Sequence, residues 1–123
     1  MSASDNETEA RPVFRSNSEV AVHVADLNKA AHFYGDVMGF KLLSRTERQL
    51  EFDTGALRLY VNLDSQPLTT MVPSFDVADS EAAREYLQGI GCKPHAVRSQ
   101  PGLYYVRDPF GLLFDVVERK PKG

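Results

Sequence analysis

From Glu19 to Val24 (EVAVHV) the chain alternates, and valine supplies most of its apolar positions, which is the period of a half-buried strand. Asp26 then stands where a helix N-cap belongs. Leu27, Ala30, Ala31, Tyr34, Val37 and Met38 recur at helical spacing behind it, with Phe33 on the margin of the stripe, and Gly39 supplies the stop. Three short strands are predicted next, at 40–44, 48–53 and 56–62, with a turn at Asp53-Thr54-Gly55 between the last two. The polar run Asp64 to Thr70 reads as a linker.

The same order then repeats. Residues 71–77 predict a strand, and Asp79 or Ser80 caps a helix with Ala83, Tyr86, Leu87 and Ile90 on one face until Gly91. Strands are expected at 92–98, 102–107 and 112–118. Val24-Ala25-Asp26 and Val77-Ala78-Asp79 occupy the same place in the two halves, a repeat at about 53 residues. The predicted organisation is a polar leader over 1–17, a single domain over 18–119 (first module 18–63, linker 64–70, second module 71–119), and a charged tail over 120–123. Pro12, Val13 and Phe14 are the leader residues with apolar surface to dock on the domain or on a partner chain.

Composition narrows the functional classes. The chain has 123 residues, enough for one core, and carries a net charge of −3 without a lysine or arginine cluster, which argues against nucleic acid as a partner. No apolar run approaches the ~18 residues of a membrane span. The acidic start Met1 to Ala10 has neither the charge nor the apolar core of a signal peptide. The single Cys92 rules out an intrachain disulfide framework and suits the cytoplasm. It reads as a small core residue rather than a reactive thiol.

Two stretches carry a family resemblance. V-A-D-L-N-K-A-A-H-F-Y-G-D-V-M-G-F (24–40) resembles the first-helix signature of the vicinal oxygen chelate superfamily, which groups glyoxalase I, bleomycin-resistance proteins and extradiol dioxygenases. R-D-P-F-G-L-L-F-D-V-V-E (107–118) resembles that superfamily's closing turn and last strand. The resemblance covers about residues 18 to 119. It implies an α+β fold, two tandem βαβββ modules forming a curved mixed sheet shaped as a cup, and a homodimer.

Many superfamily members hold one divalent ion through His and Glu side chains on inward-facing strand positions, where the ion serves as a Lewis acid. The resemblance maps those four positions onto Glu19, Tyr60, Val72 and Asp115. Only Glu19 and Asp115 bring carboxylates, and Val72 brings no donor at all. His23 shares the face of Glu19, but four residues along a strand is ~13 Å, too far for one ion to take both. His32 falls on the first helix and His95 on an edge strand. No tightly bound metal or other cofactor is therefore expected. A weakly held divalent ion on Glu19 and Asp115 is the alternative.

Alternation, taken with the resemblance, turns Glu19, Ala21, His23, Arg58, Tyr60, Asn62, Ser74, Leu113, Asp115 and Val117 toward the cup, and one of Tyr104 and Tyr105 with them. Of these, Glu19, His23, Arg58, Tyr60, Asn62, Ser74 and Asp115 are the candidate ligand-binding residues. An inward Arg58 needs a partner, either Asp115, Glu19 or an anionic ligand. His23 is either a hydrogen-bonded wall residue or a general base. The expected function is binding of a small molecule, in the manner of the sequestering, bleomycin-resistance branch. The alternative is a metal-dependent glyoxalase-like lyase or isomerase, or a dioxygenase-like enzyme. A purely structural dimer module is a third reading, and it requires a filled, dry cup.

Overall fold

The computed structural model describes residues 11–97 and 104–119. The elements run β1 (Arg15–Val24), α1 (Leu27–Ala30, continued as a π-helix over Ala31–Val37), β2 (Lys41–Arg45), β3 (Gln49–Asp53), β4 (Arg58–Leu63), β5 (Val72–Val77), α2 (Ser80–Gly89), β6 (Lys93–Ala96), β7 (Tyr104–Arg107) and β8 (Leu113–Glu118). The predicted order is observed in both halves. The expected leader over 1–10, the tail over 120–123 and the strand residues 98 and 102–103 lie outside the described residues.

All eight strands form one sheet in the order β2-β3-β4-β1-β5-β8-β7-β6. The order is symmetric about its centre. In each half the first strand runs parallel to the last, β1 to β4 and β5 to β8, because the helix between them returns the chain over one face. The halves are joined through the antiparallel pair β1–β5. The fold is therefore the expected α+β arrangement of two βαβββ modules in one curved sheet.

Strand alternation divides the side chains between two faces. One set makes the cores beneath the helices. Leu50, Phe52, Leu59 and Val61 pack with Leu27 and Ala30 in the first half. Val77, Val106 and Val116 pack with Ala83, Leu87 and Cys92 in the second. Cys92 is the buried core residue expected of it, and burial pushes its thiol upward, away from reactivity. The opposite set points into the cup.

Two local expectations are corrected. β1 begins at Arg15 rather than near residue 18, so 15–17 belong to the sheet and not to a leader. Asn17 sits where the β1–β5 register shifts and its amide donates to Ser74 Oγ (2.9 Å) and Asp76 Oδ1 (2.8 Å). Phe14 packs against the second core.

The first helix also departs from a plain α-helical stripe. Its second part is π-helical, and the Met38 N–H reaches back five residues to the Phe33 carbonyl (2.8 Å). The extra residue in that turn rotates the later positions by about 100° around the helix axis. Leu27, Ala30 and Tyr34 keep to the core, while Phe33, Val37 and Met38 are turned out to solvent.

A buried polar chain ties the halves together across the cup face. His23 of β1 is 3% exposed. Its Nδ1 lies 3.1 Å from Asp64 Oδ2, just past β4, and its Nε2 lies 2.8 Å from the Tyr105 hydroxyl on β7. Desolvation lowers the imidazole pKa more than the Asp64 carboxylate restores it. The neutral ring then donates its Nδ1 proton to Asp64 and accepts the Tyr105 proton at Nε2. Burial raises the Tyr105 pKa, so the phenol keeps that proton to give. Asn62, which borders the same cavity as Tyr105, accepts at Oδ1 from Gln49 Nε2 (2.7 Å).

Because the folded-state pKa of His23 lies below its unfolded value of 6.5, the unfolded chain binds the extra proton first as pH falls. The stability is in full above that value and is lost as pH drops from there through the folded pKa. Urea unfolding at several pH values from about 8 to about 5 is expected to show a midpoint that falls toward the acid end. The slope should flatten in His23→Gln. Equal slopes for the wild type and the variant would show that His23 is not the group responsible.

Candidate functional site

The cup floor is built by facing positions on four central strands. Register sets Ala21 opposite both Tyr60 and Val72, His23 opposite Asn62, and Ser74 opposite Asp115. These pairs surround a cavity of about 170 Å³ lined by Glu19, Val20, Ala21, Gln49, Tyr60, Asn62, Val72, Ser74, Tyr105 and Asp115. Small apolar walls carrying a few convergent polar groups are the usual make-up of a small-molecule site.

Five of the expected site residues meet here: Glu19, Tyr60, Asn62, Ser74 and Asp115. Arg58 is a correction. It has the inward parity of Tyr60 and Asn62 but sits at the outer end of β4, half-exposed, and does not line the cavity. Its Nη1 donates to Glu51 Oε2 at 2.6 Å instead of meeting Glu19 or Asp115. The neighbouring strand β3 supplies that carboxylate on the same face, which removes any need for a ligand to neutralise Arg58.

His23 is also displaced from the expected cavity. It lies behind Tyr105 and lines a second hollow of about 290 Å³ with Asp64, Gln66, Leu68, His95, Ala96, Val97 and Tyr105. Tyr105, 3% exposed, is the partition between the two spaces and stands edge-on to the imidazole. Both ring nitrogens of His23 are engaged, so it has the hydrogen-bonded wall geometry weighed against the general base. Of the other histidines, His32 is exposed beside Asp36 (3.0 Å), and His95 on the edge strand β6 accepts from Arg107 Nη2 (3.1 Å).

Four residues that shape the site escaped the sequence reading or entered it only in part. Gln49 could have been found from strand parity, since it pairs with Asn62. Tyr105 was one of two equal choices. Asp64 hid in a polar stretch that reads as linker. Arg119 continues the 115–117–119 alternation of β8 beyond the strand end. Its guanidinium donates to Glu19 Oε2 (2.7 Å) and Asp76 Oδ1 (3.1 Å) at the cup rim.

Arg119 bears directly on metal binding. Glu19, one of the two carboxylates that a divalent ion would need, is already paired with a guanidinium. Tyr60 keeps its proton, because burial and the neighbouring carboxylates raise its pKa. Val72 offers hydrocarbon. Among the described residues no group of three or more His, Cys, Asp or Glu side chains is arranged to hold an ion. The residues present do not fit a tightly bound divalent metal.

A broader depression of about 650 Å³ lies between the start of α1 and the β2–β3 turn. Its polar groups serve local structure. Asp26 caps the helix at Lys29 N (3.0 Å), and Arg45 donates to Asn28. Among the described residues no helix is long and apolar enough to cross a membrane.

Residues 18–116 match the family model of the Glyoxalase/Bleomycin resistance protein/Dioxygenase superfamily. No curated protein matches the chain in sequence. In fold it is similar to homoprotocatechuate 2,3-dioxygenase from Brevibacterium fuscum in complex with 3,4-dihydroxyphenylacetate. The TM-score is 0.64 at 20% identity, over 92% of this chain and 39% of that one. An extradiol ring-cleaving dioxygenase structure from B. fuscum gives a TM-score of 0.65 at 19% identity, over 90% of this chain and 34% of that one. The chain thus spans little more than a third of the length of these enzymes, and at such identity the likeness concerns the fold. The family match is of another kind, running through both halves from the first strand into the last, and the chain belongs to the Glyoxalase/Bleomycin resistance protein/Dioxygenase superfamily.

Proposed function

We propose that this protein binds a small organic molecule in the cup between its two modules, and that it does so without a tightly held divalent metal. The observation that carries the reading is Asp115. Its Oδ1 is buried at the cavity wall and has no hydrogen-bond donor. A buried acceptor without a donor is costly, by about 1–3 kcal/mol. A bound molecule that supplies the donor removes that cost. The surrounding wall of Ala21, Val72, Tyr60 and Tyr105 offers apolar surface for the rest of the guest. The metal-dependent lyase, isomerase or dioxygenase alternative has less support, because it needs Glu19 and Asp115 as ligands and Arg119 competes for Glu19.

Binding in the cup also accords with a homodimer. The edge strand β2 is exposed along its whole length, and its Leu42 and Leu43 are exposed, as are the outward-turned Phe33, Val37 and Met38 of the first helix. An unpaired edge beside apolar side chains invites pairing with a second copy.

Two measurements test these readings. Dialysis of the purified chain against zinc, nickel or iron followed by elemental analysis is expected to leave far less than one ion per chain. Retention of a full equivalent would overturn the metal-free reading. Sedimentation equilibrium is expected to return twice the 13.7 kDa chain mass. A mass that stays monomeric at raised protein concentration would rule out the dimer.

A further inference from the structure

The charge and donor arrangement of the cup narrows what it can hold. The residues lining the cavity include the carboxylates of Glu19 and Asp115 and no lysine or arginine. The cationic side chains nearby lie outside the cavity wall and have partners of their own. Arg58 gives to Glu51, and Arg119 to Glu19 and Asp76. Arg84 reaches the Val116 carbonyl (3.1 Å) from α2, with its Nε buried and without a partner, and makes no ion pair with Asp115.

Two neutral donors beside the cup are committed in the same way. The Asn17 amide goes to Ser74 and Asp76, and the Tyr105 hydroxyl goes to His23 Nε2. That last commitment is enforced from behind. Asp64 takes the Nδ1 proton of His23, which leaves Nε2 able only to accept. Tyr105 therefore turns its proton away from the cup. Burial raises the Asp115 pKa, Arg84 and Arg119 offset that only from a distance, and Oδ1 is left without a hydrogen-bond partner.

We infer that the guest of the cup is a small organic cation bearing N–H donors, an alkylammonium or amidinium, whose charged end lies on Asp115 and whose apolar part packs on Ala21, Val72 and the Tyr60 ring. The inference rests on the cup-binding reading and adds the chemical class of the guest. A cation supplies both the donor that Oδ1 lacks and the charge that a buried carboxylate needs. An anion meets two carboxylates and no guanidinium in the cavity wall. A neutral alcohol can satisfy the hydrogen bond but adds no charge at a carboxylate that Arg84 and Arg119 reach only from a distance. The cavity, at about 170 Å³, limits the guest to a compact group such as one ring or a short chain.

The test uses three probes of one shape: benzylammonium, benzyl alcohol and benzoate. Each is titrated into the full chain near neutral pH by calorimetry and by amide chemical shifts. Benzylammonium is expected to bind at least about tenfold tighter than benzyl alcohol, and benzoate weakest, with shifts centred on Tyr60, Tyr105 and Asp115. Asp115→Asn, which keeps the shape and removes the charge, is expected to erase the ammonium's advantage. Tyr105→Phe should weaken all three probes alike, since its proton faces away from the guest.

Equal or tighter binding of the alcohol or of benzoate at those same residues would overturn the cation and leave the cup reading standing. Absence of binding by all three would also overturn the cation. A wider fragment screen that shifts no cup residue would then overturn the cup reading itself. If Asp115→Asn does not fold, the order of the three probes on the wild-type chain decides the matter alone.

Discussion

The imidazole of His23 is the point on which the cup depends. It rises from β1, is 3% exposed, and is held on one side by a carboxylate following β4 and on the other by a hydroxyl from β7. A buried polar group costs stability unless each hydrogen-bonding atom is paired, and here both nitrogens are. That requirement fixes Tyr105 in place. The phenol cannot leave the wall without orphaning Nε2, so the boundary of the cavity is set by hydrogen bonding as much as by packing. On the far side of the cavity a second polar pair, Gln49 Nε2 to Asn62 Oδ1, joins β3 to β4.

The charges around the cup are settled in pairs across the strands. Arg58 and Arg119 have each found carboxylates on other strands, and these half-exposed pairs sit where solvent screens them and their net contribution is small. Their effect on chemistry is larger than their effect on stability. Arg119 is paired with Glu19, and Glu51 with Arg58, so each already has a charged neighbour. One buried carboxylate oxygen is left over, on Asp115, in a wall otherwise apolar or internally satisfied. A site with one unsettled acceptor is suited to recognition by one donor group, which is a simpler task than the multi-ligand geometry of a catalytic ion.

Most of the architecture could be read along the chain. The valine alternation of β1, the caps Asp26 and Asp79, the stops at Gly39 and Gly91 and the duplicated order all appear in the structure, and both glycines take positive φ (78° and 107°) that other residues rarely adopt. The family signature carried the curvature and the pairing of the halves, which periodicity alone does not contain. The site was read in part. Parity put Glu19, Tyr60, Asn62, Ser74 and Asp115 on the correct face, and they meet. Parity failed for Arg58, which has the right face and the wrong height, and for Phe33, Val37 and Met38, whose helix widens into a π-turn.

The sequence by itself determined the elements, their faces and their order, because these arise from side-chain periodicity and backbone preference over a few neighbouring residues. Only the tertiary structure decided the partners. His23 meets Tyr105 across 82 residues and Glu19 meets Arg119 across 100. Such pairs are created by strand order and register, and a shift of two residues would keep every face and change every partner. Whether a carboxylate in this cup is a ligand, a salt-bridge partner or an open acceptor is settled by those long-range neighbours. The function class turns on that distinction.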